Sequence, residues 1–388
     1  MPIMKKSFLI LSFAVVLVAC SGTSDANSGI DAVDAPAELG AFAVGHSTFT
    51  PVDASRDDRS LLVDVWYPVD EIDAASASPR QYTLSGIPGP VSEVALADPS
   101  VSTLKKHHLL VFSHGYQGIG TQSIGLMEIL ASHGFIIASP EHTGNAQQSP
   151  TDSFDESAAN RVPDVSFIID TMLARSGEPG DPFFERIEEE GIGVVGHSFG
   201  AMTAIGTAAG WAGADADRRV DAILPVSGVI VPELQSDERN SPNAGFTQEQ
   251  LERIIVPVML MGGTEDVNVF LENNEVAFEQ IVNSPRVYRV DIIGANHTHF
   301  ANVCQIGNFL IDSGIDKESW PILGAEDLIE PYETTCGPDA FPIEEANRLQ
   351  NLYTVAFFKR HLLDDVGYDA FLSTGFANTE PAVEFFRK

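Results

Sequence analysis

The chain has 388 residues, with 55 Asp and Glu against 22 Lys and Arg and a formal charge of −33. A field of that sign repels nucleic acid and anionic lipid surfaces, and no basic run offers a polyanion site, so nucleic-acid partners are excluded. The length exceeds the usual single-domain mode, yet α/β folds of this size commonly share one core.

Lys5-Lys6 lead into an apolar run from Phe8 to Ala19, followed by Cys20-Ser21-Gly22. A charged start, a short apolar stretch and small residues at its end read as an export signal, too short for a spanning helix. Leu17-Val18-Ala19-Cys20 resembles the lipobox of bacterial lipoproteins. That resemblance implies a signal peptide over 1–19, acylation of Cys20 and an outer-membrane anchor, since several acyl chains hold a protein where one does not. The alternative is ordinary cleavage to a soluble periplasmic or secreted product. Residues 20–40 are small, polar and acidic, a flexible tether with no core-forming pattern.

Residues 41–388 read as one domain. Ala41–Thr50 and Leu61–Tyr67 are expected strands, the second alternating in period two until Pro68. Asp70 to Ser102 is rich in Ala, Ser, Pro and Gly and reads as loop. Strands and helices then alternate: strand His108–Phe112, helix Ser123–Ser132, strand Phe135–Ala138, helix Arg161–Arg175, strand Ile192–Val195, helix Phe199–Ala209. Strand Asp221–Val226, helix Gln248–Ile254, strand Pro257–Met261, helix Val269–Val282 and strand Arg286–Ile293 follow. Such alternation with apolar strands predicts an α/β fold, a mostly parallel sheet covered on both faces, with any site along its C-terminal edge. Gln305–Pro342 interrupts the pattern and reads as a small cap insertion. The last amphipathic helix is Glu344–Leu363.

One segment carries chemistry. Gly196-His197-Ser198-Phe199-Gly200 stands between an apolar strand and a small-residue helix, the context in which G-x-S-x-G holds a nucleophilic serine. A serine hydroxyl needs a neutral imidazole to take its proton and a carboxylate to fix that imidazole's tautomer. Asp266, after Met259–Thr264, is the expected acid, with Glu265 the alternative and a plain turn aspartate the bland reading. His297, in Gly294-Ala295-Asn296-His297, is the expected base; His299 is the alternative, better suited to packing or supporting hydrogen bonds. Activity should then fall as acid protonates the base. Backbone N–H groups of Phe199 and Tyr116 are the expected oxyanion donors, Tyr116 lying in the loop Ser113–Gly118. Tyr116, His142, Phe199 and Trp211 are candidate pocket walls. Cys304 and Cys336 form the expected disulfide of an oxidising compartment, two unpaired buried thiols being the alternative. No C-x-x-C exists, and His297-x-His299 lacks a convincing fourth ligand, so no metal is expected.

The segments LLVDVWYP, LLVFSHGYQG, LASHGFIIASPEH, GHSFG and GANHTHF, in that order, resemble the platelet-activating-factor acetylhydrolase-like branch of the α/β-hydrolases, which includes bacterial esterases and dienelactone-hydrolase-like members. The resemblance spans roughly Val44 to His299. It implies the α/β-hydrolase fold, Ser198 as nucleophile, His297 as base, Tyr116 and Phe199 as oxyanion donors, and no cofactor. A small-molecule or polymer ester with short-to-medium acyl groups is the expected substrate, but the family's substrate scope does not carry over, because Gln305–Pro342 has no counterpart in it. Two departures stand out. The strand ending Pro225-Val226-Ser227-Gly228 lacks the carboxylate that the acetylhydrolases proper carry there, which favours Asp266. The nucleophile is Ser, where true dienelactone hydrolases have Cys. An amide hydrolase on the same triad, or a non-catalytic hydrolase-like binding protein, are the competing readings.

Overall fold

A computed structural model describes residues 33–84, 87–234 and 241–388. The expected signal peptide and Cys20 lie outside the described residues. In chain order the strands are β1 (Ala43–Phe49), β2 (Val52–Asp53), β3 (Arg59–Ser60), β4 (Val63–Val69), β5 (Pro79–Leu84), β6 (Ile87–Ala97), β7 (His108–Ser113), β8 (Phe135–Pro140), β9 (Ile192–His197), β10 (Val220–Val226), β11 (Val258–Gly263), β12 (Val287–Ile292) and β13 (Val383–Arg387). The α-helices are α1 (Glu71–Ala74), α2 (Ile124–Ser132), α3 (Phe154–Gly177), α4 (Phe199–Ala209), α5 (Gln248–Leu251), α6 (Glu272–Gln280), α7 (Val303–Asp312), α8 (Ile329–Thr335), α9 (Ile343–Leu362) and α10 (Thr374–Ala377).

Eleven strands form one sheet in the order β13-β12-β11-β10-β9-β7-β8-β4-β1-β6-β5. From β8 through β12 every pairing is parallel, while β4 and β13 join antiparallel at either side. Side-chain alternation sends successive residues of each central strand to opposite layers. On β7, Leu109 and Val111 enter the layer beneath α3 and α4, whereas Leu110 and Phe112 enter the layer beneath α2 and α9. Burial on both faces explains why these strands read as continuous apolar runs rather than alternating ones.

Two expectations need correction. Asp70–Ser102 is not loop: β5 and β6 form an antiparallel hairpin, and β6 also pairs with β1. Its Pro-rich composition is compatible with a strand pair at the margin of a sheet, where missing N–H donors cost little. Tyr82 anchors it, buried, accepting from Trp66 Nε1 at 2.7 Å and donating to Glu128 at 2.8 Å. The tether does not extend to residue 40. Val33 and Ala37 pack on the core, the His133 ring donates to the Glu38 carbonyl, and Tyr368 donates to that of Asp34. The C-terminal segment adds β13 to the sheet, with Phe385 stacked on Tyr353.

The interruption is real. Between the 3-10 turn His297–Phe300 that follows β12 and the start of α9 lie α7, two further 3-10 turns (Lys317–Leu323 and Glu326–Leu328) and α8, with Cys304 bridged to Cys336. Trp320 is fully buried against Tyr332 within this insertion, and Gly307 lets the Tyr332 ring lie directly on α7.

Candidate active site

Ser198, Asp266, His297 and the 113–118 loop follow β9, β11, β12 and β7 respectively, and all four strands run parallel in one sheet. Parallel strands deliver their carboxyl ends to a common edge, where side chains distant in sequence meet. Ser198 turns the chain from β9 into α4 with φ 60° and ψ −118°, and its amide donates to the Val226 carbonyl at 2.9 Å. A non-glycine residue held at positive φ stores strain that the surrounding structure must impose. The flanking glycines explain how. A Cβ on Gly200 would lie 1.8 Å from the Ser113 carbonyl oxygen, and one on Gly196 would lie 2.2 Å from the Gly200 carbonyl oxygen. Strand, turn and helix therefore close on each other with no room for a methyl. No side chain caps α4, so its first-turn amides remain the positive end of the helix beside Ser198.

His297 Nδ1–H donates to Asp266 Oδ2 at 2.8 Å. Asp266 is 4 % exposed, and its other oxygen accepts the amides of Asn268 and Val269 at 2.9 and 2.8 Å. Burial pushes this carboxyl up, but the hydrogen bond and charge of His297, with the Val269 amide, outweigh it and hold the group below the usual carboxylate range. With Nδ1 engaged, Nε2 is the nitrogen able to accept a proton. Glu265 is exposed, and its amide serves only the Ala295 carbonyl. His299 is 1 % exposed; Nδ1 meets the Asn296 amide and side chain, and Nε2 the Phe341 carbonyl. It ties the His297 turn to the end of the insertion.

His197 has a role that its variable position in G-x-S-x-G does not signal. Gln122 Nε2 donates to His197 Nδ1 at 2.8 Å, and His197 Nε2–H donates to the His297 carbonyl at 2.9 Å, with the two imidazoles 4.5 Å apart. Burial and the neighbouring His297 push His197 down to about 3, so it stays neutral and keeps this tautomer. Gln122 Oε1 also accepts the Gly115 amide at 2.8 Å. One glutamine thus connects the oxyanion loop, the residue before the nucleophile and the turn carrying the base.

On the other side, Gly115 lies against Ser198: a Cβ there would be 3.5 Å from Ser198 Cβ. The Tyr116 ring meets Phe199 edge-on at 5.3 Å and Phe154 at 6.0 Å. Two expected pocket walls are displaced. His142 is 0 % exposed, with Nδ1–H donating to Asp164 and Nε2 meeting Ser113 Oγ, so it belongs to a buried network and not to a substrate surface. Trp211, 2 % exposed, stands behind Phe199 at 5.2 Å and borders a cavity of about 1200 Å³ formed with residues 208–218 and the α5 region. It backs the wall rather than forming it.

Residues 81–176 match the family profile described as platelet-activating factor acetylhydrolase, isoform II. Among solved structures, a ferulic acid esterase from Streptomyces cinnamoneus superposes with a TM-score of 0.61 over 89 % of this chain and 96 % of that one, at 24 % identity. No curated protein matches the sequence. By this superposition the chain has the fold of that esterase, and its residues 81–176 are similar to the acetylhydrolase family.

Proposed function

We propose that the chain hydrolyses carboxylic esters with short-to-medium acyl groups through an acyl-enzyme on Ser198. The observation that carries this reading is the Asp266–His297 bond at 2.8 Å, with the His297 ring 4.5 Å from that of His197, the residue that leads into the strained turn of Ser198. Ser198 Oγ attacks the ester carbonyl carbon while His297 Nε2 takes its proton. Asp266 stabilises the imidazolium and holds its orientation. The carbonyl oxygen, now an oxyanion, sits between the Tyr116 and Phe199 amides. Collapse expels the alcohol, which takes its proton from His297. Water then attacks the acyl-enzyme with the same base, releasing the carboxylic acid and restoring Ser198 Oγ–H.

A panel of p-nitrophenyl esters from acetate to palmitate tests the reading, with Ser198→Ala as control. Turnover of short and medium chains that the control abolishes, with fluorophosphonate labelling confined to Ser198, is the expected result. Faster turnover of matched nitroanilides would move the assignment to amides. Absence of both turnover and label would make the chain a non-catalytic scaffold.

Export with a lipid anchor at Cys20 is a separate proposal. It is supported by the lipobox-like Leu17–Cys20 and by a disulfide suited to an oxidising compartment. Incorporation of labelled palmitate in a bacterial host, lost in Cys20→Ala, is its test.

A further inference from the structure

We propose that Arg161 is a positioning residue for the oxyanion site: by gripping the Gly115 carbonyl it fixes the direction of the Tyr116 N–H. The inference rests on the esterase reading above.

Arg161 projects from α3 and is fully buried. Nη1 donates to the His114 carbonyl at 2.6 Å and to Ser113 Oγ at 3.0 Å; Nη2 donates to the Gly115 carbonyl at 3.0 Å and to Asn145 Oδ1 at 2.6 Å. Two successive carbonyls of the oxyanion loop are therefore held by one planar fork, the geometry that distinguishes arginine from lysine. The described residues contain no cis peptide, so the Gly115 C=O and the Tyr116 N–H point in opposite directions along one rigid plane. Holding the oxygen holds the N–H.

The same carbonyl also accepts the Gly118 amide at 3.2 Å and His114 Nδ1–H at 2.7 Å, while the Gly115 amide is taken by Gln122. Gly115 is thus not the donor, and the peptide that follows it is the one aimed. The guanidinium also lies 4.8 Å from the Phe199 ring centroid, so Arg161 touches both segments that supply the proposed oxyanion donors.

A buried guanidinium bonded to neutral oxygens is a costly way to fill space. Its setting is equally specific. Ser113 O–H donates to His142 Nε2, and His142 Nδ1–H donates to Asp164, which accepts Arg56 and Arg59. Burial and the Arg161 charge push His142 down to about 3, which keeps it neutral and able to accept from Ser113. The chain of bonds leaves the Ser113 lone pair for Arg161. A cation on the oxygen of a peptide polarises it and makes its N–H a stronger donor.

The test uses the whole protein and compares wild type with Arg161→Lys, Arg161→Met and Arg161→Ala, each checked by circular dichroism and melting. Loss of a well-aimed donor should lower kcat about 10- to 100-fold in Arg161→Met, with KM changed less than about threefold, because the donor matters most at the tetrahedral stage. Affinity for a short alkylboronic acid, which forms a tetrahedral adduct on Ser198, should fall by a similar factor. Added ethylguanidinium should restore part of the kcat of Arg161→Ala, and Arg161→Lys should fall between wild type and Arg161→Met. A folded Arg161→Met with wild-type kcat and boronate affinity overturns the proposal, as does a rise in KM with kcat kept. If Arg161→Met does not fold, Asn145→Ala, which keeps the arginine but removes the second acceptor that steadies Nη2 on the Gly115 carbonyl, decides: a lower kcat at constant KM supports the proposal and an unchanged kcat overturns it. An inactive wild type would instead sink the esterase reading itself.

Discussion

Glu265 and Asp266 are adjacent carboxylates at the end of one strand, yet their fates differ because the turn after β11 aims one inward and the other outward. Only Asp266 receives His297 and two backbone amides. Asp266→Asn should therefore lower kcat about 10²- to 10⁴-fold, since an amide in that place favours the wrong imidazole tautomer. Glu265→Gln should leave kcat within about twofold; a large loss there would mean the acid has been misassigned. Gly200 gives a structural prediction at the same scale. With the Ser113 oxygen 1.8 Å from any added Cβ, Gly200→Ala must displace backbone, and a clear drop in melting temperature is expected beside lost activity.

The insertion is the element that distinguishes this chain from a bare sheet-and-helix core. Its bridge from Cys304 to Cys336 closes a loop of 32 residues in sequence separation, worth about 3–4 kcal/mol in the chain-entropy model. Its far end is tied to the turn of the base: Thr335 pairs with Thr298, Asn296 donates to the Thr334 carbonyl, and His299 bonds the Phe341 carbonyl. Reduction, or the pair Cys304→Ser and Cys336→Ser, should lower the urea midpoint and expose Lys317 to trypsin, while the central sheet keeps its circular dichroism. Equal trypsin resistance with and without the bridge would mean that Trp320 and Tyr332 hold the insertion unaided.

Across the whole molecule, burial has collected histidines that stay neutral. His142 and His197 are pushed down to about 3, and His107 and His361 to about 4, burial being the first cause in each. In the unfolded chain these imidazoles take up protons near pH 6.5, whereas the native state refuses them. The unfolded state then binds more protons as pH falls, so stability is full above about pH 6.5 and is lost progressively toward about pH 4. The charge of −33 acts in the opposite sense, because acid relieves its repulsion. Urea midpoints from pH 8 to 4 in high salt, which screens that repulsion, should show the fall directly. A flat profile would show that the buried imidazoles are protonated without cost.

Much of this architecture was legible in the chain. The strand–turn–helix at Ser198 is marked locally by an apolar run, two glycines and small residues, although Val226 and Ser113 from neighbouring strands hold it in its strained form. The same holds for the central strands, whose two-sided burial writes itself as continuous apolar sequence. The β5–β6 hairpin was not legible, because prolines tolerated at a sheet margin look like loop residues until the neighbouring strand is known. His142 was misread because a histidine after a strand looks the same whether it faces substrate or Asp164. Arg161 and Gln122 carried no signal at all, since each acts on backbone supplied by a different segment. The sequence by itself determined the chemistry available and the order in which its parts arrive. Only the tertiary structure decided which carboxylate meets the imidazole and which cation lies under the loop, because those choices depend on contacts between segments that no local pattern encodes.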